Sequence, residues 1–138
     1  MDQNTSLLKI VEKVKEFHEA FLINNEENPI GVISEADYVL RHRLMQEEND
    51  EYLDACKKGD IIEIADAIGD KLYILCGTIL KHGLQHKIEE VFNEIHRSNM
   101  SKLDDNGKPI VREDGKILKS NQYFKPNINS VLNQNKTL

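Results

Sequence analysis

Apolar residues recur along the first hundred positions with the spacing of helices, and that period is lost after Ser98. Leu7, Ile10, Val11, Val14, Phe17 and Phe21 fall three or four residues apart, one face of a helix over Ser6 to Leu22. Lys9, Glu12, Lys13 and Glu16 form its polar side. Pro29 and Gly31 punctuate the stretch from Asn24 to Gly31. Ser34 is placed to cap a second helix, which runs to Lys58 and stops at Gly59. Asp60 can cap a third helix at once, ending near Gly83, so the two form an antiparallel hairpin with a very short connection. A fourth helix is predicted over Gln85 to Arg97, with Ile88, Val91, Phe92 and Ile95 inward. Lys108 to Lys119 then reads as two short strands around Asp114-Gly115, after an earlier turn at Asp105-Asn106-Gly107. Ile128, Val131 and Leu132 predict one or two final helical turns, and the last six residues are expected to be disordered. The fold class is therefore all-α: one domain with a bundle of four main helices over residues 1–98, then a small β-hairpin and C-terminal extension over 99–138.

Two of these stripes turn acidic in mid-helix. On the second helix the face reads Leu40, Leu44, Glu47, Glu48, Glu51, Ala55, and on the third Ile62, Asp66, Gly69, Asp70, Tyr73, Gly77, with Glu63 at its edge. Counted from the connecting turn at about 1.5 Å per residue, Glu51 and Asp70 lie at one level and can meet. Ionised carboxylates on facing inner surfaces need positive charge between them. An oxygen-only set without clustered Cys or His favours Mg²⁺ or Mn²⁺ over zinc. A solvated helix face explains Glu47 or Asp50 taken singly, but not Glu48, Glu51 and Asp70 together, which replace apolar residues in register.

Composition narrows the reading. The 138 residues suit one core-bearing unit, and 39% hydrophobic with 30% charged residues suits a helical protein. A net charge of −6, 6% aromatic residues and no Trp argue against nucleic-acid binding. From Glu35 to Asp70 eleven acids face four bases, −7, whereas Arg97 to Lys125 carries seven bases and four acids, +3. An acidic centre followed by a basic tail suits a metal site that also grips an anion, and equally an ordinary lysine-bearing surface. Cys56 and Cys76 lack CxxC spacing and are expected to be buried or half-buried free thiols. No signal-like opening and no long apolar run is present, so no membrane association and a cytoplasmic location are expected. Tyr73, at helical spacing, reads as core. His18 and His96 read as partly buried polar residues, and His82 with His86 is a poor metal pair because Gly83 ends the helix between them.

The order EExxE at Glu47 to Glu51, a short loop, an acidic Gly69-Asp70 and then DKLYILCGTILKHG to Gly83 resembles the all-α nucleoside triphosphate pyrophosphohydrolases. These include MazG-like proteins, dimeric dUTPases and phosphoribosyl-ATP pyrophosphohydrolase. The resemblance implies a MazG-like helical bundle, usually completed by dimerisation, that holds Mg²⁺ through an ExxE pair and an ExxD pair. Carried over by residue, Glu48 and Glu51 match the ExxE, Glu47 is an extra leading acid, and Asp70 matches the final Asp. The ExxD glutamate falls at position 67, which is Ala67 here, so Asp66 or Glu63 supplies the missing oxygen. FNEIHRSNMSK at Phe92 to Lys102 and the paired turns ending in Lys108 and Lys116 resemble a subgroup of the same proteins, and imply that Asn99, Lys102 and Lys116 lie near the active site.

The implied activity is release of pyrophosphate and a nucleoside monophosphate from a nucleoside triphosphate. Glu48, Glu51, Asp70 and either Asp66 or Glu63 bind the metal; Glu47 orients the attacking water; Lys102, Lys116 and Arg97 neutralise the phosphates. The rival reading is a non-catalytic nucleotide-binding helical dimer with a degenerate metal site, for which the Ala67 departure speaks. A structural protein with solvated acids is the third. Both enzyme and binder are expected as homodimers or higher homo-oligomers.

Overall fold

A computed structural model describes residues 6–133. The fold is mostly helical, with four main helices, one short helix and a two-stranded antiparallel hairpin: α1 Leu7–Ala20, α2 Glu35–Lys58, α3 Ile61–Lys81, α4 Ile88–Met100, β1 Ile110–Val111, β2 Ile117–Leu118 and α5 Ile128–Leu132. Tertiary contacts group the chain into two compact units, Met1–His86 and Lys87–Leu138.

In the first unit the helix ends are set where the sequence places its caps. Ser34 Oγ accepts from Asp37 N at the start of α2, and Asp60 Oδ1 accepts from Ile62 N and Glu63 N at the start of α3. All three helices end in the same doubly bonded turn. Ile23 N donates to His18 O and Leu22 N to Glu19 O after α1, Asp60 N to Ala55 O and Gly59 N to Cys56 O after α2, and Leu84 N to Ile79 O and Gly83 N to Leu80 O after α3. The turn requires a left-handed residue, which is Gly59 (φ 64°) and Gly83 (φ 64°) in two cases and Leu22 (φ 59°) in the third. Here α3 is central, packing against both α1 and α2. The buried core is Val11 and Val14 of α1 with Cys76 and Leu80 of α3, flanked by Leu7 and Ile10. Ala55 and Ala67 are also buried, small residues that let α2 and α3 approach closely.

The segment between α1 and α2 is strapped onto the end of α3. Glu26 N donates to Leu80 O, Ile30 N to His82 O, Lys81 Nζ to Asn24 O and Gln85 Nε2 to Glu26 O, while His82 Nδ1 meets Ile30 O at 2.8 Å. What reads in sequence as a helix breaker is therefore a fixed loop.

In the second unit α4 packs on α5, where Val131 is buried. Ser98 Oγ donates to Phe124 O, Ser101 Oγ accepts from Phe124 N, Ser120 Oγ donates to Ser101 O, and Glu94 accepts from Asn127 N. The hairpin pairs Ile110 with Leu118 and Val111 with Ile117 around Gly115 (φ 87°), and Gly107 (φ 71°) makes the earlier turn. The expectations here need three corrections. Helix four starts at Ile88 and not Gln85, because residues 82–87 form turns after the left-handed Gly83. Phe92, expected inward, is 64% exposed, since the partners of α4 in this unit lie along Glu94, Arg97 and Ser98. Cys76 is buried as expected but Cys56 is exposed, on the outer side of α2 beside Tyr52. Of the tail expected to be disordered, residues 134–138 lie outside the described residues.

Candidate active site

On the facing acidic stripes of α2 and α3, the charges of Glu51, Asp70 and Asp66 reach Glu48. Glu48 Oε2 is buried without any hydrogen-bond partner. Burial, then the carboxylates of Glu51 and Asp70, a hydrogen bond that the protonated Glu48 donates to Glu51 and finally the charge of Asp66 push the Glu48 carboxyl above its ordinary range. The cause is one carboxylate oxygen cut off from water, with three other acids near enough for their charge to be felt. Lys71 Nζ donates to Asn49 Oδ1 across the same level and ties α2 to α3 there.

The other predicted acids stand apart. Glu47 faces outward, 3.9 Å from Arg43 on its own helix. Glu63 lies in the first turn of α3, 3.5 Å from Lys58 across the tight connection. Of the two residues weighed for the oxygen missing at Ala67, Asp66 is the one whose charge reaches Glu48. Ala67 itself is buried. Among the described residues no three His, Cys, Asp or Glu side chains come close enough together to form a metal-holding group.

The basic residues expected at the site belong to the second unit. Arg97 is engaged there, paired with Glu94 at 2.8 Å and stacked 4.3 Å from the Phe124 ring. Asn99 is exposed and its carbonyl accepts from Lys102 N. Lys116 is exposed in the hairpin turn, where its N–H donates to Asp114.

A second feature of the first unit was not anticipated. A cavity of about 560 Å³ opens between α1, α2 and α3, beginning one helical turn from the acids: Leu44 precedes Glu48 by four residues and Tyr73 follows Asp70 by three. Its walls are mostly apolar, with Phe17 and Tyr73 meeting edge to face at 5.5 Å. Tyr73, expected in the core, lines this opening instead. Its floor is polar. Lys81, nearly buried, bonds Asn24 O at 2.9 Å and pairs with Asp37 at 3.5 Å. His18, 2% exposed, meets Asn25 Oδ1 through Nδ1 at 2.6 Å, so that nitrogen carries the proton. Gly77 lets this floor form, since a Cβ there would lie 2.9 Å from His18 Nε2 and 3.1 Å from Arg41 Nη1. Basic residues set into otherwise apolar stripes were the available signal: Arg41 beside Leu40 and Leu44, His18 in line with Val11 and Val14, and Lys81 beside Leu80. His18 is buried as expected. His82 and His86 do not pair, the first bonding Ile30 and the second lying 3.8 Å from Glu27.

The phosphoribosyl-ATP pyrophosphohydrolase family model matches residues 9–99, well over half of the chain. The protein belongs to that family. The family is part of the MazG-like all-α nucleoside triphosphate pyrophosphohydrolase superfamily, and its members are hydrolases acting on phosphoric anhydrides, in general dependent on a divalent metal. The matched span contains every acid of the α2 and α3 stripes and the whole cavity, and it ends before Lys102 and Lys116. No curated protein matches the chain. Among the described residues no helix is long and apolar enough to cross a membrane.

Proposed function

We propose that this member is a Mg²⁺-dependent nucleoside triphosphate pyrophosphohydrolase, which releases pyrophosphate and leaves a nucleoside monophosphate. The observation that carries the reading is the orphaned, buried Oε2 of Glu48 among Glu51, Asp66 and Asp70. Such a set lacks only positive charge, and an all-oxygen donor set suits Mg²⁺, with Mn²⁺ as a substitute. Glu48, Glu51 and Asp70 would hold the ion, with Asp66 in preference to Glu63 as the fourth oxygen donor. When bound, Mg²⁺ offsets the charge of the triphosphate oxygens and lowers the pKa of water.

The side chains of this chain do the rest. Glu47 is free to turn from its long, exposed contact with Arg43 and to accept, at a carboxylate oxygen, the proton of the attacking water. In-line attack forms a new P–O bond as the bridging P–O bond of the α–β linkage breaks, and pyrophosphate departs with that electron pair. A second copy of the chain is expected to cover the apolar surface of the α2–α3 hairpin, where Ile61, Ile62, Ile68 and Leu53 are more than half exposed. The cytoplasm is the expected setting.

The test is a panel of nucleoside triphosphates assayed for Mg²⁺-dependent pyrophosphate release. Glu48→Gln and Asp70→Asn should each abolish turnover while circular dichroism remains that of the wild type. Glu48→Gln should also raise metal-free stability, by up to about 1 kcal/mol because solvent screens part of the repulsion, and should remove the melting-temperature gain on adding Mg²⁺. Full activity of Asp70→Asn refutes the assignment, and nucleotide binding without cleavage by the wild type would leave the binder as the correct reading. Sedimentation as a monomer would remove the dimer.

A further inference from the structure

The acids do not explain the cavity beside them. Its polar floor contains one buried donor without an acceptor. Lys81 and Asp37 neutralise each other and Lys81 is further satisfied by Asn24 O. His18 is neutral, because burial first, and then the charges of Arg41 and Lys81, hold its imidazole below the ordinary range. The other cation is Arg41, which shares the Asp37 charge with Lys81 but whose Nε is buried with no hydrogen-bond partner. A buried N–H without an acceptor is costly, and Arg41 lines the cavity, so a small shift of its guanidinium lets an acceptor that enters satisfy it.

The walls say what that something is. Phe17, Tyr73, Leu40 and Leu44 suit a flat, weakly polar body, and the volume lies in the range of small-molecule sites. Arg41 precedes Glu48 by seven residues, two turns of α2, or about 10 Å along the axis. That is the span of a nucleotide from the phosphate at its 5′ carbon to the outer edge of its base.

We propose that the cavity is the base pocket of this enzyme and that Arg41 reads the base, favouring one that presents a carbonyl oxygen over one that presents an amino group. The reading rests on the acids as the phosphate end of the site. With phosphate anchored there, the sugar passes Leu44 and the base packs against the Phe17 and Tyr73 rings. The guanidinium then donates to an oxygen on the base edge. An exocyclic amino group at that place sets a donor against a donor and leaves Arg41 unsatisfied, which a site of this kind rejects far more strongly than a change of size. Gly77 belongs to the same device, since any larger residue displaces the Arg41 guanidinium and the His18 ring from the floor.

Uncharged nucleosides test the pocket without the metal site. In NMR titrations of the whole chain, inosine should bind about tenfold more tightly than adenosine and uridine about tenfold more tightly than cytidine, with shifts at Phe17 and Tyr73. Arg41→Met should bring both ratios close to one, and Arg41→Lys should retain part of each. Equal affinities in the wild type, a preference for the amino bases, ratios that survive Arg41→Met, or no nucleoside binding at millimolar concentration would each overturn the proposal. If Arg41→Met does not fold, the wild-type ratios and Arg41→Lys still decide it. Failure of every triphosphate to release pyrophosphate would refute the proposed reaction while leaving the nucleoside ratios intact, so the two readings fail separately.

Discussion

Gly69 and Gly77 lie two turns apart in α3, and alanine at the two positions should move stability in opposite directions. Either substitution gains about 1 kcal/mol of helix propensity. At Gly69 nothing lies within 4 Å of the added Cβ, so the gain is kept. At Gly77 the Cβ would sit 2.9 Å from His18 Nε2 and 3.1 Å from both Arg41 Nη1 and His18 Cε1. Ordinary contact needs roughly 3.5 Å, so two groups must each retreat by about half an ångström. His18 has nowhere to go: it is 2% exposed and bonded to Asn25. Overpacking of this kind costs about 1–3 kcal/mol, so Gly77→Ala should be neutral to about 2 kcal/mol less stable, and Gly69→Ala up to about 1 kcal/mol more stable. Because propensity cancels between the two variants, their difference isolates the packing cost of about 1–3 kcal/mol. That corresponds to roughly 4–12 °C in melting temperature, measurable by circular dichroism at equal protein concentration without metal. Equal melting temperatures would refute the packing of His18 and Arg41 against Gly77.

Gly83→Ala should be far more damaging than either, by about 3 kcal/mol or more in urea unfolding, because the residue has φ 64° and its Cβ would meet the Asn28 carbonyl oxygen at 2.0 Å. Leu22→Gly should instead stabilise by about 1 kcal/mol on thermal melting, since Leu22 is 91% exposed and holds the left-handed position that glycine fills after α2 and α3. His18 has a lowered pKa in the folded chain, so below its ordinary value of 6.5 the unfolded chain binds a proton that the native one does not. Stability therefore rises with pH through that window and is lost as pH falls below it, by up to about 1.4 kcal/mol per pH unit; His18→Gln should flatten the stability–pH curve just below pH 6.5.

Much of this molecule follows from local rules. Ser34, Gly59 and Asp60 set the boundaries of α2 and α3 because a cap is a bond between a side chain, or a left-handed backbone, and its own helix end. The hairpin around Asp114-Gly115 and the turn at Gly107 are legible for the same reason. The start of α4 is not, since Lys87 precedes it with no side-chain cap and the preceding turns depend on Gly83. The acids of α2 and α3 are visible as a fault in an apolar stripe, and the length of the two helices predicts that Glu51 and Asp70 meet.

Other features arise from pairs of residues far apart in sequence. The sequence leaves Asp66 and Glu63 both open as the acid that replaces Ala67, and only the rotation of α3 against α2 separates them, bringing Asp66 into the field of Glu48 and leaving Glu63 beside Lys58. Gly77 looks like a weak point in a helix until His18 and Arg41 occupy the space it leaves. The stretch from Asn24 to Gly31 reads as a plain breaker, yet its carbonyls are the partners of Lys81, His82 and Gln85. By itself the sequence determined the four main helices, the caps that bound α2 and α3, and the acids that interrupt their apolar stripes, because these depend on neighbours within a few residues. Tertiary structure decided which carboxylate loses its water and which arginine is left without an acceptor, because desolvation depends on what three separate helices place around one atom.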